Sequence, residues 1–254
     1  MTAERAAALL AQSRSVVVLT GAGISTESGL PDFRSPRGIW AEWDPMEVAT
    51  LSAFRATPHR FFDFYRTRLA TLTKARPNAA HVALTRLEEQ GRVRVVITQN
   101  VDGLHQAAGS QRVIELHGNL REAICDRCGT VGPIAAITEA LEAGRLPQCH
   151  ACRGALKPNV VLFEEPLPES VYRDAETACR GADLLLVVGS SLQVTPAAWL
   201  PEVALRHGAA MIIVNAEPTP LDHVASVVIR GRAGVILPAL VHGIDGSGQK
   251  DSSR

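Results

Sequence analysis

Apolar positions along this chain gather in short, nearly unbroken runs set far apart: Val16 to Leu19, Val93 to Ile97, Val113 to Leu116, Ala182 to Val188 and Met211 to Val214. Runs of that length, bounded by glycine, serine or asparagine, read as strands covered on both faces. Between them apolar residues recur at the helical period. Thr2 to Gln12 is one such stretch, anchored by Leu9 and Leu10. A second is capped by Asn78, buries Ala80, Leu84 and Leu87, and stops at Gly91. A third opens at Thr195-Pro196, after the run ending at Val188. Strands alternating with helices predict an α/β fold built on a doubly wound parallel sheet. Two stretches break the rhythm. Arg34 to Pro77 has no strand alternation and reads as a helical excursion rich in aromatic residues, with Pro58 opening its longest helix. Asp245 to Arg254 is polar and glycine/serine-rich and reads as a disordered tail.

The ends of the strands carry the chemistry. After Leu19 comes Gly21-Ala22-Gly23, where the backbone turns tightly and leaves room for a ligand. Ile24 to Ser28 is expected to start a helix whose unpaired N–H groups face a pyrophosphate. Thr26 stands where a dinucleotide fingerprint has its third glycine, and no Lys-Ser/Thr pair makes a P-loop, so the turn alone says only nucleotide. Gly29-Leu30-Pro31 then breaks the helix and delivers an acid, an aromatic ring and a cation, Asp32, Phe33 and Arg34, beside the same turn. The second strand ends in Thr98-Gln99-Asn100-Val101-Asp102-Gly103, and the third in His117-Gly118. Polar side chains just past a strand's carboxyl end are where open α/β sheets place ligands.

Composition narrows the class. At 254 residues and 46% apolar, the chain can bury a full core, and its formal net charge of zero offers no long-range attraction to nucleic acid or an anionic membrane. The N-terminal AAALLA run is too short and too interrupted for a signal peptide or a span, and no later run is long enough, so a cytoplasmic protein is expected. Cysteines there stay reduced. Cys125-Asp126-Arg127-Cys128 and Cys149-His150-Ala151-Cys152 form two CxxC pairs with 20 residues between them, the spacing of a tetrahedral Zn2+ site; a redox pair or buried free cysteines are the alternatives. Four protein ligands leave no open position, so the one ion is structural. Cys179 reads as a small core residue.

Taken together, GAGIST-ESG-PDFR, TQNVDGLH, ELHG, the two CxxC pairs, KPNVVLF and VVGSSLQV resemble, in that order, the sirtuins, the NAD-dependent protein lysine deacylases. The resemblance covers about Val16 to Pro238. It implies a single catalytic unit over 1–244, with a large Rossmann-like domain from about 1–34, 78–120 and 156–244. The smaller domain would combine a helical module, 35–77, with a zinc module, 121–155.

The resemblance also implies site roles. Gly21, Ala22, Gly23, Ile24 and Ser25, with Asp32, Phe33, Arg34 and Trp40, would hold the NAD pyrophosphate and cover the nicotinamide pocket. Gln99, Asn100, Val101 and Asp102 would bind the nicotinamide ribose and carboxamide, with Asn100 and Asp102 counted as catalytic beside His117, the general base. Gly189, Ser190, Ser191, Asn215, Ala216, Glu217 and Ala233 would form the adenosine end. Val160 to Phe163 is similar to the strand that pairs with a substrate peptide, Val161 and Phe163 walling the acyl-lysine tunnel. Here the chain departs from the pattern, with Glu164 where glycine is usual. Phe61, Tyr65 and Arg68 fall on one helical stripe, and the Y-x-x-R pattern resembles the subgroup that removes succinyl and malonyl groups. Arg68 would read an acyl carboxylate unless it snorkels to water or meets a protein acid. The expected partners are acylated lysine side chains of proteins, met by a monomer that binds neither nucleic acid nor membrane. A mono-ADP-ribosyltransferase or NAD hydrolase using the same pocket, and a non-catalytic NAD/zinc module, are the competing functions.

Overall fold

A computed structural model describes residues 2–248. Among the described residues nine strands form two sheets. In chain order they are β1 (Val16–Thr20), β2 (Val93–Thr98), β3 (Val113–Glu115), β4 (Gly118–Cys125), β5 (Val131–Pro133), β6 (Leu156–Val160), β7 (Leu184–Val188), β8 (Ala210–Asn215) and β9 (Val227–Arg230). The larger sheet has six parallel strands in the order β3-β2-β1-β7-β8-β9. That is the doubly wound order of a Rossmann-like sheet, with its switch point between β1 and β7.

The unbroken apolar runs follow from burial on both faces. Val16 and Val18 face one layer, where the helices Thr2–Gln12, Ala79–Glu89 and Ala233–Gly248 contribute Leu10, Leu84, Leu87, Leu237 and Leu240. Val17 and Leu19 face the other, packed by Ala175 and Cys179 of Glu169–Arg180 and by Leu200 and Ala204 of Leu200–Arg206. Cys179 is buried there as a core residue. Of the two N-terminal leucines, Leu10 is buried and Leu9 half-buried at the layer's edge. A third core joins the aromatic excursion to the small antiparallel sheet, β5-β4-β6. There Phe54, Phe61, Phe64 and Tyr65 pack with Leu120, Ile137, Leu156 and Cys125.

Four expectations change. The segment after the first glycine turn is a 3-10 helix, Ala22–Ser28, closed by Gly29 in the left-handed region. The substrate strand ends early: β6 runs Leu156–Val160 and pairs with β4, while 161–163 leave it because the Phe163 backbone bonds to Ala49 and Leu51 instead. The small sheet accordingly begins at Gly118 and closes at Val160, outside the 121–155 bounds. The last helix continues to Gly248, into the stretch expected as a tail, since each added residue of a nucleated helix gains a hydrogen bond. Residues 249–254 of that expected tail lie outside the described residues.

At the switch point the turns after β1 and β7 interlock. A Cβ on Gly189, whose φ is 60°, would lie 2.2 Å from the Ile24 nitrogen and 2.6 Å from the Gly23 carbonyl carbon. Gly189→Ala is expected to destabilise the fold by about 3 kcal/mol or more, read as a shift in urea midpoint. A midpoint equal to wild type contradicts the interlock.

Candidate active site

The carboxyl ends of β1, β2 and β7 open into one cleft of about 980 Å³ between the large sheet and the aromatic lobe. The glycine turn at its floor is used differently from a helix terminus. The Gly21, Gly23 and Ile24 N–H groups donate to Val188, Gly189 and Gly21 carbonyls at 3.1, 2.8 and 3.1 Å. They therefore shape the cleft wall. Ala22, Gly21, Gly23 and Ser25 line the cleft, but the Ile24 side chain packs fully buried in the sheet core, so of the expected cofactor residues it alone lies behind the surface.

The loop after β2 crosses to this turn. Asn100 Nδ2 donates to the Gly21 carbonyl at 3.1 Å and to Ser25 Oγ at 3.2 Å. Ser25 Oγ donates to Asp102 Oδ2 at 2.7 Å, and Asp102 Oδ1 accepts from the Leu104 N–H at 2.9 Å. Gln99 Nε2 reaches Ser190 Oγ at 3.0 Å, tying the loops after β2 and β7 across the switch point. Val101, Asp102, Gly189, Ser190 and Ser191 line the cleft with them. At its far end lie Asn215, Ala216, Glu217 and Ala233, with Asn215 Nδ2 held by the Glu217 carbonyl at 2.8 Å.

His117 follows β3 and lines the same cleft. Its Nδ1 lies 3.0 Å from the Gln99 carbonyl oxygen. Burial holds its pKa below the ordinary histidine value, against the smaller opposing pull of that carbonyl. Pairing of Gly118 with Val160, and a 2.9 Å bond from the Val161 N–H to the His117 carbonyl, sets the expected substrate segment beside the imidazole. Val161 lines the cleft, and Phe163 lines it too, though 42% exposed at the rim.

Asp32, Phe33 and Arg34 lie on a loop folded back by bonds from the Ile39 and Trp40 N–H groups to the Asp32 and Phe33 carbonyls, at 2.8 and 3.0 Å. Phe33 meets Trp40 at a centroid distance of 5.1 Å, and Trp40 stacks on Phe64 at 6.1 Å. Tyr65 and Arg68 also line the cleft. The Arg68 guanidinium sits over the Phe33 and Phe64 rings, 5.2 and 5.9 Å from their centroids, and among the described residues no carboxylate accepts from it. Burial lowers its pKa, yet an arginine stays cationic. Burial raises that of Tyr65, which stays a neutral phenol.

The cysteines lie apart from this cleft. The ligand atoms of Cys125, Cys128, Cys149 and Cys152 all fall within 4.8 Å of one another, with Sγ separations of 3.5 Å for Cys125–Cys152 and 3.8 Å for Cys128–Cys149. Tetrahedral Zn–S bonds of about 2.3 Å place sulfurs about 3.8 Å apart, so one zinc ion fits.

A buried polar layer beneath the cleft was not singled out from the sequence. Thr20 Oγ1 donates to Thr98 Oγ1 at 2.8 Å, and Thr98 Oγ1 accepts from the Asn100 N–H at 3.0 Å. His105 Nε2 lies 2.9 Å from Thr20 Oγ1, and its ring meets that of His81 at 4.9 Å. His81 belongs to a capping box with Asn78, whose Nδ2 also donates to the Ile24 carbonyl at 2.8 Å. The signal was legible only as polar residues at apolar helical and strand positions: His81 three places after a cap, Thr20 and Thr98 at strand ends.

Three comparisons bear on the chain as a whole. The Sir2 family pattern matches residues 21–196. The chain is 52% identical to NAD-dependent protein deacetylase 1 of Geobacillus kaustophilus over 88% of its length and 90% of the relative's. It is 47% identical to NAD-dependent protein deacylase 2 of Archaeoglobus fulgidus, over 93% of its own length and 94% of the relative's. Among solved structures it is similar to a Sir2 variant with deacetylated p53 peptide and 3'-O-acetyl ADP-ribose, at TM-score 0.90 and 40% identity, covering 95% of this chain and 98% of that one.

Burial pushes His81 down to about 4 and His105 to about 3. Both are neutral when folded and protonate near 6.5 when unfolded, so the unfolded state binds more protons between those values. Their contribution is complete above pH 6.5 and is lost as pH falls toward 4, by up to about 1.4 kcal/mol per histidine per pH unit. Melting temperature is expected to drop from pH 7 to pH 5, with a shallower drop in His81→Asn/His105→Gln. An equal slope in the double variant refutes the assignment.

Proposed function

The chain belongs to the Sir2 family, and from that membership we infer that it is an NAD-dependent protein lysine deacylase, moving an acyl group from lysine to ADP-ribose with release of nicotinamide. The tautomer of His117 carries the reading. A carbonyl oxygen only accepts, so the Nδ1 atom facing Gln99 bears the ring proton and Nε2 keeps its lone pair. Burial keeps the ring neutral at neutral pH, ready to take a proton from a ribose hydroxyl.

When bound, NAD supplies the electrophilic ribose carbon that takes the acyl oxygen as nicotinamide leaves. The residues fit such a group: the glycine wall and Ser25 form the floor, and Gln99, Asn100 and Asp102 present fixed amide and carboxylate groups to a ribose. Phe33, propped by Trp40 and covered by Arg68, is placed to exclude water. Ser190, Ser191, Asn215 and Glu217 serve the adenosine end. Zinc on the four thiolates would fix the small lobe and leave the reaction to the cleft.

Val161 and Phe163 wall the acyl-lysine tunnel in this reading, and unpaired Arg68 beside Tyr65 supports a preference for acyl groups that end in a carboxylate. A guanidinium over two rings in a cleft gains most from a bidentate anion. A cytoplasmic monomer acting on acylated proteins, without nucleic acid or membrane, completes the reading. The zero formal net charge supports it, and among the described residues no helix is long and apolar enough to cross a membrane.

His117→Ala is expected to lower NAD-dependent deacylation by at least about a hundredfold while zinc content stays equal to wild type. Wild type should form 2'-O-acyl-ADP-ribose; free ADP-ribose as the sole product would favour the hydrolase reading. Arg68→Met should cut kcat/KM on succinyl-lysine peptide about fiftyfold but on acetyl-lysine peptide by no more than about threefold. Equal losses would refute a carboxylate-reading role.

A further inference from the structure

The backbone at Glu164 has φ 76°, in the left-handed region that favours glycine. Its side chain accounts for the conformation. Oε2 accepts from the Ser52 N–H at 2.9 Å and Oε1 from the Ser52 hydroxyl at 2.8 Å, across 112 positions of sequence. The residue before it is gripped by the same element: the Phe163 N–H donates to the Ala49 carbonyl at 2.9 Å, and its carbonyl accepts from the Leu51 N–H at 3.1 Å. On the other side Glu165 Oε2 accepts from the Leu162 N–H at 2.8 Å and from Lys157 Nζ at 3.0 Å.

The anchor is itself held at both ends. Thr50 Oγ1 accepts from the Ala53 N–H at 3.0 Å at the start of the helix Leu51–Ala56. At its other end Arg55 makes two bonds to Asp126, between Cys125 and Cys128, at 3.1 and 3.0 Å.

These bonds decide which backbone groups an incoming peptide can use. Both Phe163 groups are taken by the helical module and the Val161 N–H by the His117 carbonyl, which leaves the Val161 carbonyl and the backbone of Glu164 as the open edge. The direction of the Glu164 peptide groups follows from its φ, and the two bonds to Ser52 hold that φ.

We propose that Glu164 is a positioning residue for the protein substrate: its carboxylate, clamped on Ser52, holds the backbone edge along which an acyl-lysine peptide docks. The proposal rests on the deacylase reading and deepens it. A glycine would reach the same φ without strain but would leave it as easily. The clamped glutamate presets the edge and so lowers the ordering cost of docking.

Steady-state kinetics on one acyl-lysine peptide test this. Glu164→Ala and Glu164→Gly are expected to raise peptide KM about tenfold and Ser52→Ala about threefold, with kcat and the KM for NAD within about twofold of wild type. Glu164→Gln keeps an oxygen that accepts from Ser52, and its peptide KM should stay within about twofold. Should Glu164→Ala fold poorly, Glu164→Gly carries the test, because it adopts the same φ unstrained. Unchanged peptide KM in Glu164→Gly, or a KM for NAD that rises in step, overturns the clamp alone. Wild type without NAD-dependent turnover overturns the deacylase reading beneath it.

Discussion

At the centre of the large sheet the two halves of the fold touch backbone to backbone, and they do so because three residues there have no side chain. Gly21 and Gly23 face Gly189 so closely that a Cβ on any of them would lie within 3 Å of main-chain atoms opposite. Van der Waals repulsion at that distance is steep, so the contact exists only as glycine on glycine. It brings the turns after β1 and β7 together at the switch point. The loop after β2 then fastens to both, through Asn100 on Gly21 and Gln99 on Ser190.

Electrostatics in the cleft is local, as expected of a chain with no net charge. Neutral histidines lie beneath it, a neutral imidazole lines it, and one guanidinium rests on aromatic faces. Each is set by burial more than by a charged neighbour. The arrangement keeps the imidazole unprotonated and, among the described residues, leaves the guanidinium without a hydrogen-bonded carboxylate. The small lobe contributes by position: its four thiols converge outside the cleft, and the Arg55–Asp126 pair links them to the helix Leu51–Ala56, whose Ser52 holds Glu164.

Much of this was legible in the chain. Buried parallel strands leave continuous apolar runs, caps leave Asn78 and Pro58, and two CxxC pairs leave a spacing that few other structures need. The polar ends of β2 and β3 already marked Asn100, Asp102 and His117. What misled was local: apolar 160–163 looked like one strand, and the glycine turn looked like the mouth of a helix with free N–H groups. Phe163 and Gly23 were settled by partners 112 or more and 166 positions away, Ala49 to Leu51 and Gly189, which no window along the sequence contains.

The sequence by itself determined most of the element types, the sheet class, the thiol site and the residue types available for chemistry, because period, capping and ligand spacing act over a few neighbouring positions. The tertiary structure alone decided the tautomer of His117, the burial that keeps it neutral, the seat of Arg68 on two aromatic rings and the clamp of Glu164 on Ser52. Those properties depend on which distant carbonyl, ring or N–H comes within about 3 to 6 Å, and such contacts arise only when the sheets and lobes pack.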